Sequence, residues 1–93
     1  MKTPALFKFR LYVAGDGPNS AQAVANLNAI CLEHLPERHE IEVIDVLREQ
    51  KRALADGVLL TPLLIKLSPA PVQKITGTLN WREPLLQALG LPG

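Results

Sequence analysis

The sequence predicts one mixed α/β domain with the element order βαβαββα. Three observations carry this expectation. Phe7, Phe9, Leu11 and Val13 alternate with Lys8, Arg10 and Tyr12, the period-two signature of a strand with one face on a core. A Gly-Asp-Gly-Pro loop follows, after which Val24, Leu27, Ile30, Cys31 and Leu35 recur at helical spacing until Pro36. About half a chain later an apolar run is divided by Thr61-Pro62, which marks the head of a further strand.

The first strand ends at Gly15-Asp16-Gly17-Pro18. Asn19 and Ser20 then offer side-chain oxygens to free backbone N–H groups, so the first helix is expected to start there. Residues 41–46 are rich in β-branched side chains and read as a second strand; a helical crossover from the first strand implies parallel neighbours with a right-handed connection. Residues 47–55 suit a short helix ended by Gly57. Residues 63–67 form an apolar third strand, Ser68-Pro69-Ala70-Pro71 a turn, and residues 72–76 a fourth strand antiparallel to the third, with Gly77 closing the sheet. Asn80 and Glu83 have the spacing of a capping box for a last helix that carries Trp81, Leu85, Leu86 and Leu89. Pro84 fits only near a first turn, which places the start between Asn80 and Glu83. There is no repeat, low-complexity tract or internal linker, so residues 1–93 are expected to be one domain.

Ninety-three residues, 47% hydrophobic and 20% charged, suit a small globular fold whose core leaves little stability to spare. Ten basic and nine acidic residues give a net charge of +1, which lacks the basic footprint of a nucleic-acid binder. One cysteine makes neither an internal disulfide nor a cysteine-rich metal site, and it suits a reducing, cytoplasmic setting. Lys8 and Arg10 interrupt the first apolar stretch, so it is no signal peptide, and the run 58–65 is too short and too broken to span a membrane. A soluble intracellular domain is expected.

The candidate reactive groups have ordinary explanations. Cys31 lies on the apolar stripe of the first helix and reads as core packing, because a reactive thiol needs exposure and a cationic neighbour or a helix N-terminus. His34 and His39 flank Pro36 without ligand partners at metal spacing; His34 in a last helical turn faces the helix dipole favourably. The loop Gly15-Asp16-Gly17-Pro18-Asn19-Ser20 departs from a phosphate fingerprint in placing Ser20 at the third glycine position, and Asp16 would repel phosphate; it reads as a tight turn. Ser20 and Thr61 lack a visible base with an orienting partner, and Asp45, Glu49 and Asp56 are dispersed, so no catalytic constellation emerges. No cofactor or metal is expected.

A strand–loop–helix opening followed by Thr-Pro at the head of an apolar strand reads as thioredoxin-like. A thioredoxin places two cysteines in the first loop, and this loop has none, so function is expected to come from a surface. X–Pro bonds are cis only about 5–6% of the time in folded proteins, yet thioredoxin-like scaffolds keep a cis proline at this place, and Thr61-Pro62 is expected to be cis.

Several motifs resemble the KaiB family of circadian-clock proteins, found in cyanobacteria and in other bacteria. They are Leu11-Tyr12-Val13-Ala14-Gly15, Pro18-Asn19-Ser20, Val43-Ile44-Asp45-Val46-Leu47, Thr61-Pro62, Pro69-Ala70-Pro71-Val72, Ile75-Thr76-Gly77 and Arg82-Glu83, in the family's order over nearly the whole chain. The resemblance implies a non-enzymatic protein that binds the ATPase ring of a KaiC-type partner, with a KaiA-like protein or a SasA-like kinase as further partners. It also implies fold switching. The thioredoxin-like βαβαββα monomer would be the binding-competent form, and a homo-oligomeric resting form, dimer or tetramer, would run βαββααβ. A partner surface over residues 48–57 and the strand after Thr61-Pro62 would use Arg48, Lys51, Arg52 and Lys66, with Gly77 and Thr78 at the switch.

The chain departs from the family pattern at Thr78, where an acid usually follows the glycine, and at Gly57, where a basic residue is usual. Gln73 and Lys74 replace paired arginines, and the acidic tail of cyanobacterial members has no counterpart after Leu91-Pro92-Gly93. Two other function classes remain in view. One is a SasA-type thioredoxin-like sensory or adaptor domain. The other is a thiol-dependent enzyme of the degenerate glutaredoxin kind, which a thiol-transfer assay with Cys31→Ser as control separates.

Overall fold

The computed structural model describes residues 5–77 and 82–91. Its elements are β1 (Phe7–Val13), α1 (Pro18–His34), β2 (His39–Asp45), α2 (Gln50–Ala55), β3 (Leu63–Ser68), β4 (Gln73–Thr76) and α3 (Arg82–Leu89). The order βαβαββα is the expected one. The four strands form one sheet in the spatial order β2-β1-β3-β4, with β1 parallel to β2 and antiparallel to β3, and β4 antiparallel to β3.

Boundaries differ from expectation where side chains have other partners. Asn19 and Ser20 do not cap α1: Gly17 holds the cap position without a side-chain hydrogen bond, and Pro18 starts the helix. A proline suits that first position because its missing N–H would have no partner there. Ser20 sits inside the helix and its hydroxyl donates to the Ala14 carbonyl at 3.4 Å. The helix expected over 47–55 begins only at Gln50, because Asp45 organises a turn first. Its carboxylate accepts the Leu47 N–H at 2.9 Å, and its carbonyl accepts the N–H groups of Arg48 and Glu49. The second strand is accordingly displaced to His39–Asp45. Pro84 stands at the third position of α3, within the first turn. The capping residue Asn80, together with Trp81 and Thr78, falls outside the described residues.

Core lies on both faces of the sheet. On one, Phe9, Leu11, Val13 and Leu64 meet Leu27, Ile30, Cys31 and Leu35 of the α1 segment and Leu85 and Leu86 of α3. On the other, Tyr12, Ile44, Leu63 and Ile65 cluster with Ala53 of α2. The period-two pattern of β1 therefore needs one correction: Tyr12, on the expected polar face, is fully enclosed because α2 covers that end of the sheet. Each fully buried aliphatic side chain contributes about 1.5–3 kcal/mol through removal from water, so the central strands β1 and β3 anchor the fold.

The Thr61-Pro62 peptide is cis, as expected at this place in the fold. Ser68-Pro69 and Ala70-Pro71 are also cis, which nothing in the residue pattern foretells.

Candidate functional site

The loop after β1 occupies the place where a thiol pair would sit. Gly15 adopts φ 69°, a conformation open to glycine, and its N–H donates to the Asp45 carboxylate at 3.2 Å. The loop is thus fastened to the end of β2 and presents no nucleophile. The chain's thiol, Cys31, lies fully enclosed in α1, and burial pushes its pKa up to about 12 from 9.0. That change lowers the thiolate population at neutral pH by about a thousandfold. A maleimide reagent should leave Cys31 unlabelled in the folded protein and react promptly once denaturant opens the core; labelling at equal rates in both conditions would contradict this burial.

The histidines do structural work. His34 stands in the last turn of α1, and the His39 ring nitrogen Nδ1 lies 2.7 Å from the Leu35 carbonyl. Among the described residues no group of three His, Cys, Asp or Glu side chains could hold a metal ion, and no helix is long and apolar enough to cross a membrane.

The cis proline sits beside this loop at the same end of the sheet. Pro62 is buried, and its carbonyl accepts the Gly77 N–H at 3.3 Å. Thr61, Pro62 and Gly77 are therefore joined, whereas Thr78 lies outside the described residues.

The four basic residues singled out as partner contacts are placed differently from one another. The Arg48 side chain is 86% exposed, its guanidinium only loosely matched by Asp45 at 3.9 Å. Lys51 is exposed on α2. Arg52 is tied down, with two hydrogen bonds of 2.8 Å to the Glu42 carboxylate and a longer one to Glu49. Those bonds raise the Arg52 pKa and lower that of Glu42, so the pair keeps its charges to lower pH than an isolated glutamate would allow. Lys66 stands apart: it is 3% exposed on the α3 side of β3, and its ammonium donates to the Ala88 carbonyl at 3.4 Å. In this arrangement it serves the last turn of α3, where a cation complements the dipole, and faces no solvent.

A network that the local residue pattern does not signal holds the end of α2 in place. Asp56, just past α2, accepts hydrogen bonds from the Tyr12 hydroxyl and from Arg10 Nη1 at 2.9 Å. The tyrosine bond, and then Arg10, keep the Asp56 carboxyl below its usual pKa; burial and the same bond push Tyr12 up to about 12. Arg10 also lies 3.6 Å from Glu42. The Lys74 ammonium donates to the Asp56 carbonyl at 2.7 Å. The partners are separated by 44 and 46 residues along the chain, and no local spacing could have signalled them. The available hint is that Arg10 and Tyr12 fall on the alternate face of β1, both able to bond to a carboxylate brought from elsewhere in the chain.

A four-stranded β2-β1-β3-β4 sheet with a cis proline before β3 and a first loop without cysteines defines a thioredoxin-like domain lacking the thiol pair. Solved structures agree. The N-terminal domain of Synechococcus elongatus SasA superposes with a TM-score of 0.77 over 100% of this chain and 92% of that one, at 20% identity. Chloroplastic thioredoxin z gives 0.75 over 91% and 76%, at 14% identity. The sequence is more specific. The KaiB domain family matches residues 10–91. A circadian clock protein KaiB3 of Synechocystis sp. is 40% identical over 82 residues, covering 88% of this chain and 80% of the relative. A circadian clock oscillator protein KaiB of Cyanothece sp. is 42% identical over 85 residues, covering 91% and 81%. The chain belongs to the KaiB family.

Proposed function

We propose that this protein is a non-enzymatic regulator that binds a KaiC-type ATPase ring in a circadian, timing or stress-response system of the cytoplasm. The observation that carries this reading is the loop Gly15-Asp16-Gly17-Pro18-Asn19-Ser20. It fills the catalytic position of a thioredoxin-like fold with residues that cannot do thiol chemistry, while the chain's thiol is enclosed. What the fold then offers a partner is surface. Arg48 and Lys51 project from the α2 region, with Arg52 held beside them by Glu42, and these are the proposed contacts. Lys66 contributes from beneath, by holding α3.

The family's fold switching belongs to the same proposal. The βαβαββα arrangement is the binding-competent one, and the resting form is a dimer or tetramer with the order βαββααβ. Gly77 and Thr78 set the balance between the two. A KaiA-like protein and a SasA-like kinase are the further partners proposed.

The test is capture of a KaiC-type ATPase from the same genome by the full chain, with and without ATP. Nucleotide-dependent capture is the expected result. Failure of capture under both conditions would overturn the reading. Capture of a histidine-kinase core instead would favour the alternative, a SasA-type adaptor domain, whose fold this chain shares.

A further inference from the structure

Single exposed leucines need no explanation, but three fall within seven residues here. Leu54 is 78% exposed, Leu59 92% and Leu60 70%. The fold holds them outward. Leu54 follows Ala53, the α2 residue that faces the second core, and so lies off the buried stripe of the helix. Leu59 and Leu60 lie between two anchored points. On one side Gly57 turns the chain at φ 68°, the Val58 N–H bonds to the Ala53 carbonyl at 2.9 Å, and Val58 packs on the second core. On the other, Pro62 is buried and takes the Gly77 N–H. Burying either leucine would require breaking one of those anchors.

The charge around them is lopsided. The nearby carboxylates are already engaged: Asp56 by Tyr12 and Arg10, Glu49 by Arg52. Two ammonium groups are matched less closely: Lys51, and Lys74, whose charge acts on the Asp56 carboxyl only from beyond ion-pair distance. Lys51 lies one helical turn before Leu54, and Lys74 reaches the α2–β3 loop, where it bonds to a carbonyl. Among the described residues neither has a carboxylate at ion-pair distance. An apolar centre with incompletely matched positive charge at its border calls for the opposite arrangement on whatever covers it.

We propose that Leu54, Leu59 and Leu60 form the apolar anchor of the partner-binding surface, and that they seat a protein surface whose own apolar patch is bordered by carboxylates, met by Lys51 and Lys74. A second copy of this chain fits poorly, because a two-fold contact would set these ammonium groups against one another. The inference rests on the proposed function and adds to it which residues carry the binding and what the partner's face is made of.

The experiment measures binding of the full chain to the KaiC-type ATPase with ATP, comparing wild type with Leu59→Ser, Leu60→Ser and Lys51→Glu. All three positions are exposed, and circular dichroism checks that each variant keeps its fold. Each leucine variant should weaken binding by about tenfold or more, as loss of a buried apolar anchor does. Lys51→Glu should weaken it severalfold and flatten its dependence on salt. Wild-type binding with leucine variants within twofold of it would overturn this inference while leaving the proposed function standing. Absence of wild-type binding would remove the function and this inference together. Loss of self-association in Leu59→Ser with ATPase binding intact would assign the patch to a second copy and overturn the acidic partner.

Discussion

Lys66→Glu should lower the stability of the described fold by about 3–5 kcal/mol, the scale on which an uncompensated buried charge destabilises a domain. The wild-type ammonium is enclosed and donates to the Ala88 carbonyl in the last turn of α3. A carboxylate there would face a carbonyl oxygen and the negative end of a helix, with no donor in exchange. Small domains have only about 5–15 kcal/mol in total, so the loss should appear as a large drop in denaturation midpoint and as faster amide exchange in α3. Lys66→Met separates charge from packing. It keeps the apolar stem and leaves no charge to satisfy, so its effect should stay within about 1.5 kcal/mol. Equal and large destabilisation by the two variants would show that the lost ammonium bond to Ala88, and not the buried carboxylate, is what α3 fails to tolerate. The pair also bears on function, because any change in partner capture by Lys66→Glu should track the loss of α3 rather than the loss of a surface charge.

Asp56→Ala should cost about 1–3 kcal/mol, because it removes the carboxylate shared by the buried Tyr12 hydroxyl and the partly buried Arg10 guanidinium, leaving Tyr12 only the Arg52 carbonyl at 3.1 Å and Arg10 only Glu42 at 3.6 Å. In the wild type one carboxylate accepts both the Tyr12 bond and the 2.9 Å Arg10 bond, and alanine can accept neither. Local consequences should concentrate at α2 and the loop that carries Leu59 and Leu60, and amide exchange at residues 50–60 should rise before that of β1 or β3. The wild-type advantage should also depend on pH. The folded-state pKa of Asp56 is lowered, chiefly by the Tyr12 bond and then by Arg10. Its contribution is therefore complete above the unfolded value of about 3.9 and disappears as pH falls through the lower folded value. Urea denaturation midpoints for wild type and variant should converge in that acid range and stand apart at neutral pH. A gap that persists undiminished into strong acid would mean that the carboxylate is not the source of the stability.

Much of this fold is legible in the chain because it depends on local rules. Alternation fixes the inward face of β1, the helical stripe of Leu27, Ile30 and Cys31 fixes the buried side of α1, and glycine and proline mark the turns. The empty loop is legible in the same way, the cis Thr61-Pro62 follows from the thioredoxin-like pattern and not from a local rule, and family motifs supply the identity that periodicity does not contain. Local rules mislead where one residue has two uses. Asn19 and Ser20 are good capping types, but Pro18 starts the helix first and Ser20 turns its hydroxyl back to Ala14.

The order of elements, the parallel pairing of β1 with β2, the absence of a thiol pair in the first loop and the membership of the KaiB family can all be read along the chain. Which polar residues are enclosed and which apolar ones are left outside depends on how the elements pack together. Tyr12 and Lys66 sit inside because α2 and α3 cover them, while Leu59 and Leu60 stand outside because both ends of their loop are tied down. The physical reason is that burial and ion pairing depend on groups brought together from distant parts of the chain, as Tyr12 and Asp56 are across 44 residues. No spacing within one segment records that meeting.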